Sequence, residues 1–178
     1  MIERMHEADR AEIMRNFERF WSGDRDLEFL RSVHHPMFFI EFGDTAFAAR
    51  ADDTGEILGY LLGFVAPGGY GYIHFVAVRD DARKLGLASK LYQAFTDAAI
   101  ERGATSLKAI TGPENEGSQA FHRRMGFTDT TRVDDYGGTG RTRIIMRKPA
   151  PLSGSRVAPS GSGVALSGSG VAPSGSIA

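Results

Sequence analysis

The stretch that most constrains this chain is residues 75–91, Phe75-Val76-Ala77-Val78-Arg79-Asp80-Asp81-Ala82-Arg83-Lys84-Leu85-Gly86-Leu87-Ala88-Ser89-Lys90-Leu91. A strand-like apolar run gives way to a short charged loop, then to apolar residues at helical spacing, Leu87, Leu91, Phe95 and Ala98. The first N–H groups of a helix have no intrahelical partner, so such a junction forms a concave, partly positive anion site. Gly86 removes the side chain that would hold an anion away from that backbone, and Ala88 leaves clearance on the same turn. Arg83 and Lys84 add charge. Those features suit a diphosphate, although an ordinary strand-to-helix turn with surface cations reads the same way.

Other phosphate loops fit the letters less well. A P-loop needs Lys-Ser or Lys-Thr directly after its last glycine, where Leu87-Ala88 stands. A dinucleotide fingerprint needs G-x-G-x-x-G, and Gly69-Tyr70-Gly71 runs into His74 instead. The Gly-Ser-Gly runs after residue 150 are compositional.

Around this stretch the pattern alternates. Ile2 to Met5 reads as a short strand. Asp9 is placed to cap a helix carrying Ile13, Phe17 and Phe20, and Asp26 to open a second through Leu27, Leu30 and Arg31. An aromatic loop, 34–42, precedes two antiparallel strands, 45–51 and 57–65, joined by the turn-forming Asp52-Asp53-Thr54-Gly55-Glu56. A third strand covers 72–78, and the long helix 86–101 stops near Gly103. A strand at 105–110, a helix at 115–125 and two further strands around Gly137-Gly138-Thr139-Gly140 complete the order. The strand–helix–strand unit in the middle implies one parallel pair inside a mostly antiparallel mixed sheet flanked by helices, an α/β (α+β) class.

Composition bounds the function. Residues 1–150 hold 20 Lys+Arg against 22 Asp+Glu, so the chain has no bulk attraction for nucleic acid or for an anionic membrane. It has no cysteine, which removes thiolate zinc sites and cysteine nucleophiles. Adjacent His34 and His35 lack the partners of a metal site, and no metal is expected. No apolar run approaches a bilayer span, and the first residues lack a signal peptide's apolar core, so the expected location is cytoplasmic. Residues 1–150 form one expected domain. Residues 151–178 hold eight Ser, six Gly and three Pro in near-copies of a seven-residue unit, and read as a repetitive tail too poor in burial to order itself.

Two motifs carry a resemblance. Arg83-x-x-Gly86-x-Ala88 after Val76-Ala77-Val78 resembles the acetyl-CoA loop of the GNAT superfamily of N-acetyltransferases. Asn115-x-x-Ser118-x-x-Phe121-His122-Arg123-Arg124-Met125-Gly126-Phe127 is similar to that superfamily's second motif, in the expected order. The resemblance covers nearly all of residues 1–148. It implies the acyl-CoA N-acyltransferase fold, acetyl-CoA as cosubstrate and direct attack of a primary amine on the thioester. It implies that the main chain of Val76, Ala77 and Val78 bonds pantetheine. It also implies that Arg83, Lys84, Leu85, Gly86, Leu87, Ala88 and Ser89 cradle the diphosphate, with Asn115 touching CoA or only capping its helix.

An alkylamine has a pKa of about 10 and arrives protonated, so a base is required, and the departing thiolate benefits from an acid. The resemblance makes His122 the acid candidate; a helical histidine facing solvent is the plain alternative. Relatives often place a glutamate where Tyr72 stands, and His74 lies two residues along on the same strand face, which makes the pair candidates for base work. Glu41, Asp134 and Asp135 are reserves. Phe38, Phe39 and Phe42 either line an acceptor pocket or lie beneath a second subunit of a homodimer. The expected activity is acetyl transfer to a small-molecule amine. The alternatives are a protein or peptide N-acetyltransferase, a non-catalytic acyl-CoA-binding protein of the same fold, and an interaction module working through its tail.

Overall fold

The computed structural model describes residues 1–21 and 26–150, and the backbone of Ser176–Ile177. The strands are β1 (Ile2–Arg4), β2 (Phe47–Arg50), β3 (Ile57–Ala66), β4 (Tyr70–Val78), β5 (Ser106–Thr111), β6 (Asp129–Val133), β7 (Arg143–Pro149) and β8 (Ser176–Ile177). The helices are α1 (Glu7–Arg15), α2 (Phe17–Phe20), α3 (Leu27–Val33), α4 (Met37–Ile40), α5 (Leu87–Glu101) and α6 (Glu116–Arg124). One sheet runs in the order β1-β2-β3-β4-β5-β7-β6, with β8 paired to β4 off that path. Apart from the parallel pair β4–β5, every pairing is antiparallel, as the central strand–helix–strand unit requires.

Strand alternation splits the sheet into two cores. Leu61, Ile73, Val76, Val78, Leu107 and Met146 face α5 and α6, and pack against Leu91, Tyr92, Phe95 and Phe121. Tyr60, Leu62, Phe75 and Ala77 face the other way, against Ile13, Phe17, Phe20, Trp21 and Leu30. Helix α5 lies close on the sheet because a glycine sits beneath it. A Cβ on Gly63 would come within 2.5 Å of the Phe95 ring and 2.8 Å of the Tyr72 carbonyl oxygen.

The helical lobe differs from expectation in three places. Ile13, Phe17 and Phe20 do not share one helix, since Asn16 (φ −104°, ψ 19°) breaks the run into α1 and α2. Asp9 is not the cap residue; His6 is, and the His6 N–H donates to Asp9 Oδ2 at 2.9 Å from within the first turn. The other Asp9 oxygen accepts from Arg50 on β2 at 2.6 Å, so this buried carboxylate ties α1 to the sheet. The stretch expected to be an aromatic loop contains α4, and Phe38 and Phe39 are buried in the second core. They are packing residues; Phe42 alone of the three is half-buried. Asp26 does cap α3, accepting from the Phe29 N–H at 2.9 Å.

Most of the repetitive tail lies outside the described residues. Ser176–Ile177 pairs antiparallel with Phe75–Val76 of β4. No helix among the described residues is long and apolar enough to cross a membrane.

Candidate active site

The junction singled out in the sequence forms a cavity of about 200 Å³ at the N-terminus of α5. Val78 from β4, then Ala82, Arg83, Lys84, Gly86, Leu87, Ala88 and Ser89 form one side of it. Gly86 is the N-cap residue in a left-handed conformation (φ 71°), and no side chain caps the helix. By contrast, Asn115 caps α6, accepting from the Ser118 N–H at 3.0 Å. Among the described residues, the leading N–H groups of α5 therefore have neither an intrahelical partner nor a capping side-chain oxygen. A Cβ on Gly86 would meet nothing within 4 Å, so glycine is there for its backbone and for the space above it. Lys84 is also left-handed (φ 70°), a conformation that costs an ordinary residue about 1–2 kcal/mol. Two such residues flank Leu85 in the turn that leads into α5.

The acidic residues of the loop are held by arginines. Arg79, 5% exposed, donates to Asp81 through Nε at 3.0 Å and Nη2 at 2.6 Å, and to Glu56 through Nη1 at 2.9 Å. Arg83 pairs with Asp80. Leu85 departs from the expected cradle: it is 59% exposed and does not line the cavity.

The far wall comes from the end of α6, through Phe121, Arg124 and Met125. Arg124 was not among the residues expected from the sequence to line this cavity. Its signal was the basic last turn, His122-Arg123-Arg124, and spacing alone does not say which cation turns toward α5. Asn115, one helix length away, is a cap and does not line this cavity.

Beyond the cradle the sheet opens. The pairing of β4 with β5 ends at Ile73–Ala109. At the same place the β3–β4 register skips, Leu62 facing Phe75 and Gly63 facing Ile73, so that His74 is the extra residue of a β-bulge. A bulge bends its strand and increases twist, which carries the rest of β4 away from β5. It also reverses the alternation, putting Ile73 and Val76 on the same side of the sheet. Val76, Ala77 and Val78 bury their side chains in the two cores and leave a main-chain edge toward the opening. There β8 pairs with Phe75–Val76.

His122 does not face solvent; it is 0% exposed. Its Nδ1–H donates to the Ser118 carbonyl at 2.8 Å, and its Nε2 accepts from the Tyr92 hydroxyl at 2.6 Å. Burial lowers its pKa to about 4, so it is neutral. The expected acid is thus a core residue that fastens α6 to α5, the two helices walling the cavity. The helix face shared with Asn115 turns inward because Tyr92 offers a hydroxyl there.

Tyr72 and His74 do lie together, ring centroids 6.3 Å apart, on the face opposite α5. The His74 ring stacks on Phe38 at 4.1 Å and its Nε2 lies 3.3 Å from the Val33 carbonyl oxygen. Burial lowers the His74 pKa to about 4 and raises that of the Tyr72 hydroxyl, so both are neutral at pH 7. Of the reserve carboxylates, Asp134 accepts from Thr142 at 2.8 Å and from Arg132 at 3.1 Å, and Asp135 accepts from the Gly140 N–H at 2.6 Å. These hold the β6–β7 loop. Glu41 is exposed at the end of α4. His34 is spent on structure: Trp21 Nε1–H donates to the Tyr60 hydroxyl at 2.7 Å, which meets His34 Nε2 at 2.9 Å. Its Nδ1 lies 2.6 Å from the Leu30 carbonyl. Among the described residues no group of three His, Asp or Glu could hold a metal ion.

Comparison with known proteins follows the same outline. The family described as "Acetyltransferase (GNAT) family" matches residues 10–127. N-alpha-acetyltransferase 30 of Schizosaccharomyces pombe is 36% identical over 78 residues, covering 43% of this chain and 52% of that protein. Aminoglycoside N(6')-acetyltransferase type 1 of Serratia marcescens is 30% identical over 109 residues, covering 61% and 73%. The chain covers about half the length of the first curated relatives it matches. The structure of the ribosomal-protein-S18-alanine N-acetyltransferase from Escherichia coli superposes with a TM-score of 0.64 at 18% identity, covering 88% of this chain and 97% of that one. With the cradle at the start of α5, the opening beside β4 and a family match over most of the chain, this protein belongs to the GNAT family of acetyltransferases.

Proposed function

We propose that this protein transfers an acetyl group from acetyl-CoA directly to a primary amine of a small molecule, both substrates being bound at once. The observation that carries the reading is the uncapped N-terminus of α5, with left-handed Gly86 facing a cavity and a main-chain edge of β4 next to it. Peptide N–H groups of Gly86 to Ser89 hold the diphosphate of the donor, with Arg124 across the cavity. The Val76–Val78 edge offers donors and acceptors at the spacing an amide-bearing arm needs. Acetyl-CoA supplies the electrophilic thioester.

The opening in the sheet connects the α5 face, where the phosphates lie, to the face that carries Tyr72 and His74. The amine meets the thioester there. A protonated amine cannot attack, and a histidine with a pKa near 4 is too weak a base to strip an alkylammonium directly. The amine therefore binds as the free-base fraction set by its equilibrium with bulk solvent and buffer. His74, already neutral, accepts through water the proton released as the C–N bond forms, because the N-protonated tetrahedral adduct is far more acidic than the alkylammonium. The Tyr72 hydroxyl, kept protonated by burial, donates toward the departing sulfur.

The test is thiol release from acetyl-CoA across a panel of small amines and peptide N-termini. Turnover with small amines and not with peptides supports the reading. Turnover with peptides alone selects the peptide reading, which the 36% identical stretch of an N-alpha-acetyltransferase favours. Tight binding of acetyl-CoA without turnover of any acceptor would leave a binding protein. The domain division at residue 150 is part of the same proposal: the chain without residues 151–178 retains the transfer.

A further inference from the structure

The sheet face around Tyr72 is covered unevenly. Helices α1–α4 pack over β2, β3 and β4, and no residue of β5, β6 or β7 belongs to that core. Beyond that core, register sets Tyr72, Lys108 and Arg147 in one row across β4, β5 and β7, beside the buried pair Ile110 and Ile145. Lys108 is half-buried, its Nζ 5.2 Å from the Tyr70 ring centroid and 5.8 Å from that of Tyr72. Arg143, four residues before Arg147 on β7, is near enough to act electrostatically on the Tyr72 hydroxyl, as is Tyr136 of the β6–β7 loop. Neither Lys108 nor Arg143 forms an ion pair with a described residue.

The negative charges nearby are engaged or set apart. Asp134 is held by Arg132 and Thr142, and Asp135 by the Gly140 N–H. Asp129 stands opposite Arg147 at the far end of the row. Glu114 lies against Gly112, past the end of β5. On the other side of Tyr72 the wall is apolar, with Phe64 at 5.1 Å between centroids and Phe42 at 5.0 Å from Phe64.

A bare alkylammonium would gain nothing from a cation at this position. We propose that Lys108, with Arg143 adding positive charge from further along β7, receives a carboxylate of the acceptor, which makes the substrate an α-amino acid with an apolar or aromatic side chain. This rests on the proposed acetyl transfer at the β4–β5 opening. Lys108 stands within one side chain of Tyr72, so the carboxylate sits only a few bonds from the attacking amine. An α-amino acid meets that requirement, while a peptide N-terminus carries an amide there instead. The Phe42–Phe64–Tyr72 wall takes the side chain.

The experiment compares phenylalanine, 2-phenylethylamine and a phenylalanyl peptide. Thiol release gives kcat/KM, and calorimetry on the CoA-saturated full chain gives Kd. Because the amine lacking a carboxylate forfeits a charge-assisted contact, phenylalanine should be preferred over 2-phenylethylamine at least about tenfold. Lys108→Gln and Arg143→Gln should each reduce that ratio, and Lys108→Glu should reverse it, while CoA affinity, the check on folding, stays as in the parent. Turnover without such a preference, a preference unmoved by either variant, or better use of the peptide overturns the assignment and leaves acetyl transfer standing. Carboxylate-dependent binding without turnover supports the assignment and removes the proposed reaction. Absence of both binding and turnover rejects both.

Discussion

Replacement of Gly86 separates two roles that one glycine performs. Its φ of 71° is costly for any residue with a Cβ, about 1–2 kcal/mol and more for a β-branched one. Gly86→Val should therefore lower the melting temperature by roughly 3–8 °C in a domain of this size. A Cβ at this position meets nothing within 4 Å in the protein, so the added methyl groups project into space left for the ligand. If they push the diphosphate off even one peptide N–H, the loss is about 1.5–3 kcal/mol, or at least tenfold in affinity for CoA. Gly86→Asn separates strain from occlusion, because asparagine tolerates the left-handed region. Its stability should lie close to the parent while CoA binding is still weakened. Urea unfolding gives the first quantity and calorimetry with CoA the second. If both variants bind CoA with the parental Kd, the backbone cradle is refuted, whatever happens to stability.

Four further outcomes are expected. Gly63→Ala, whose Cβ would press on the Phe95 ring, should cost about 1–3 kcal/mol in urea unfolding; a Phe95→Leu background should absorb part of that cost, and strict additivity would contradict the contact. Arg124→Gln should raise the Kd for CoA severalfold with the fold intact by circular dichroism, and an unchanged Kd would remove it from the cavity wall. His34 and His122 each have a pKa lowered to about 4 by burial, against an ordinary value of 6.5 once unfolded. Below pH 6.5 the unfolded chain takes up protons that the folded chain refuses, so stability falls between pH 6.5 and about 4, by at most about 3 kcal/mol per histidine; a flat profile over that range would contradict their burial. Finally, β8 pairs with the β4 edge assigned to the donor's arm, so removing residues 151–178 should lower the KM for acetyl-CoA without lowering kcat; an unchanged KM would mean the two do not compete.

Local rules were enough for much of this protein. The loop at 83–89, the caps at Asp26 and Asn115, the β2–β3 hairpin and the parallel β4–β5 unit are specified by residues a few positions apart. Glycine conformations, capping oxygens and periods of 2 and 3.6 act at that range, and the GNAT family likeness rests on the same local motifs. Other features depended on partners far away in sequence. His122 is a core residue because Tyr92, 30 residues earlier, offers it a hydroxyl. His74 is a bulge because β3 pairs around it, and the switch in side-chain alternation along β4 follows from that single extra residue. Phe38 and Phe39 are buried because α4 folds onto the sheet, and Lys108 meets Tyr72 only across the parallel pair. Burial, register and the opening between β4 and β5 arise from packing between elements, and the order of residues along a chain carries that information only once the elements have met.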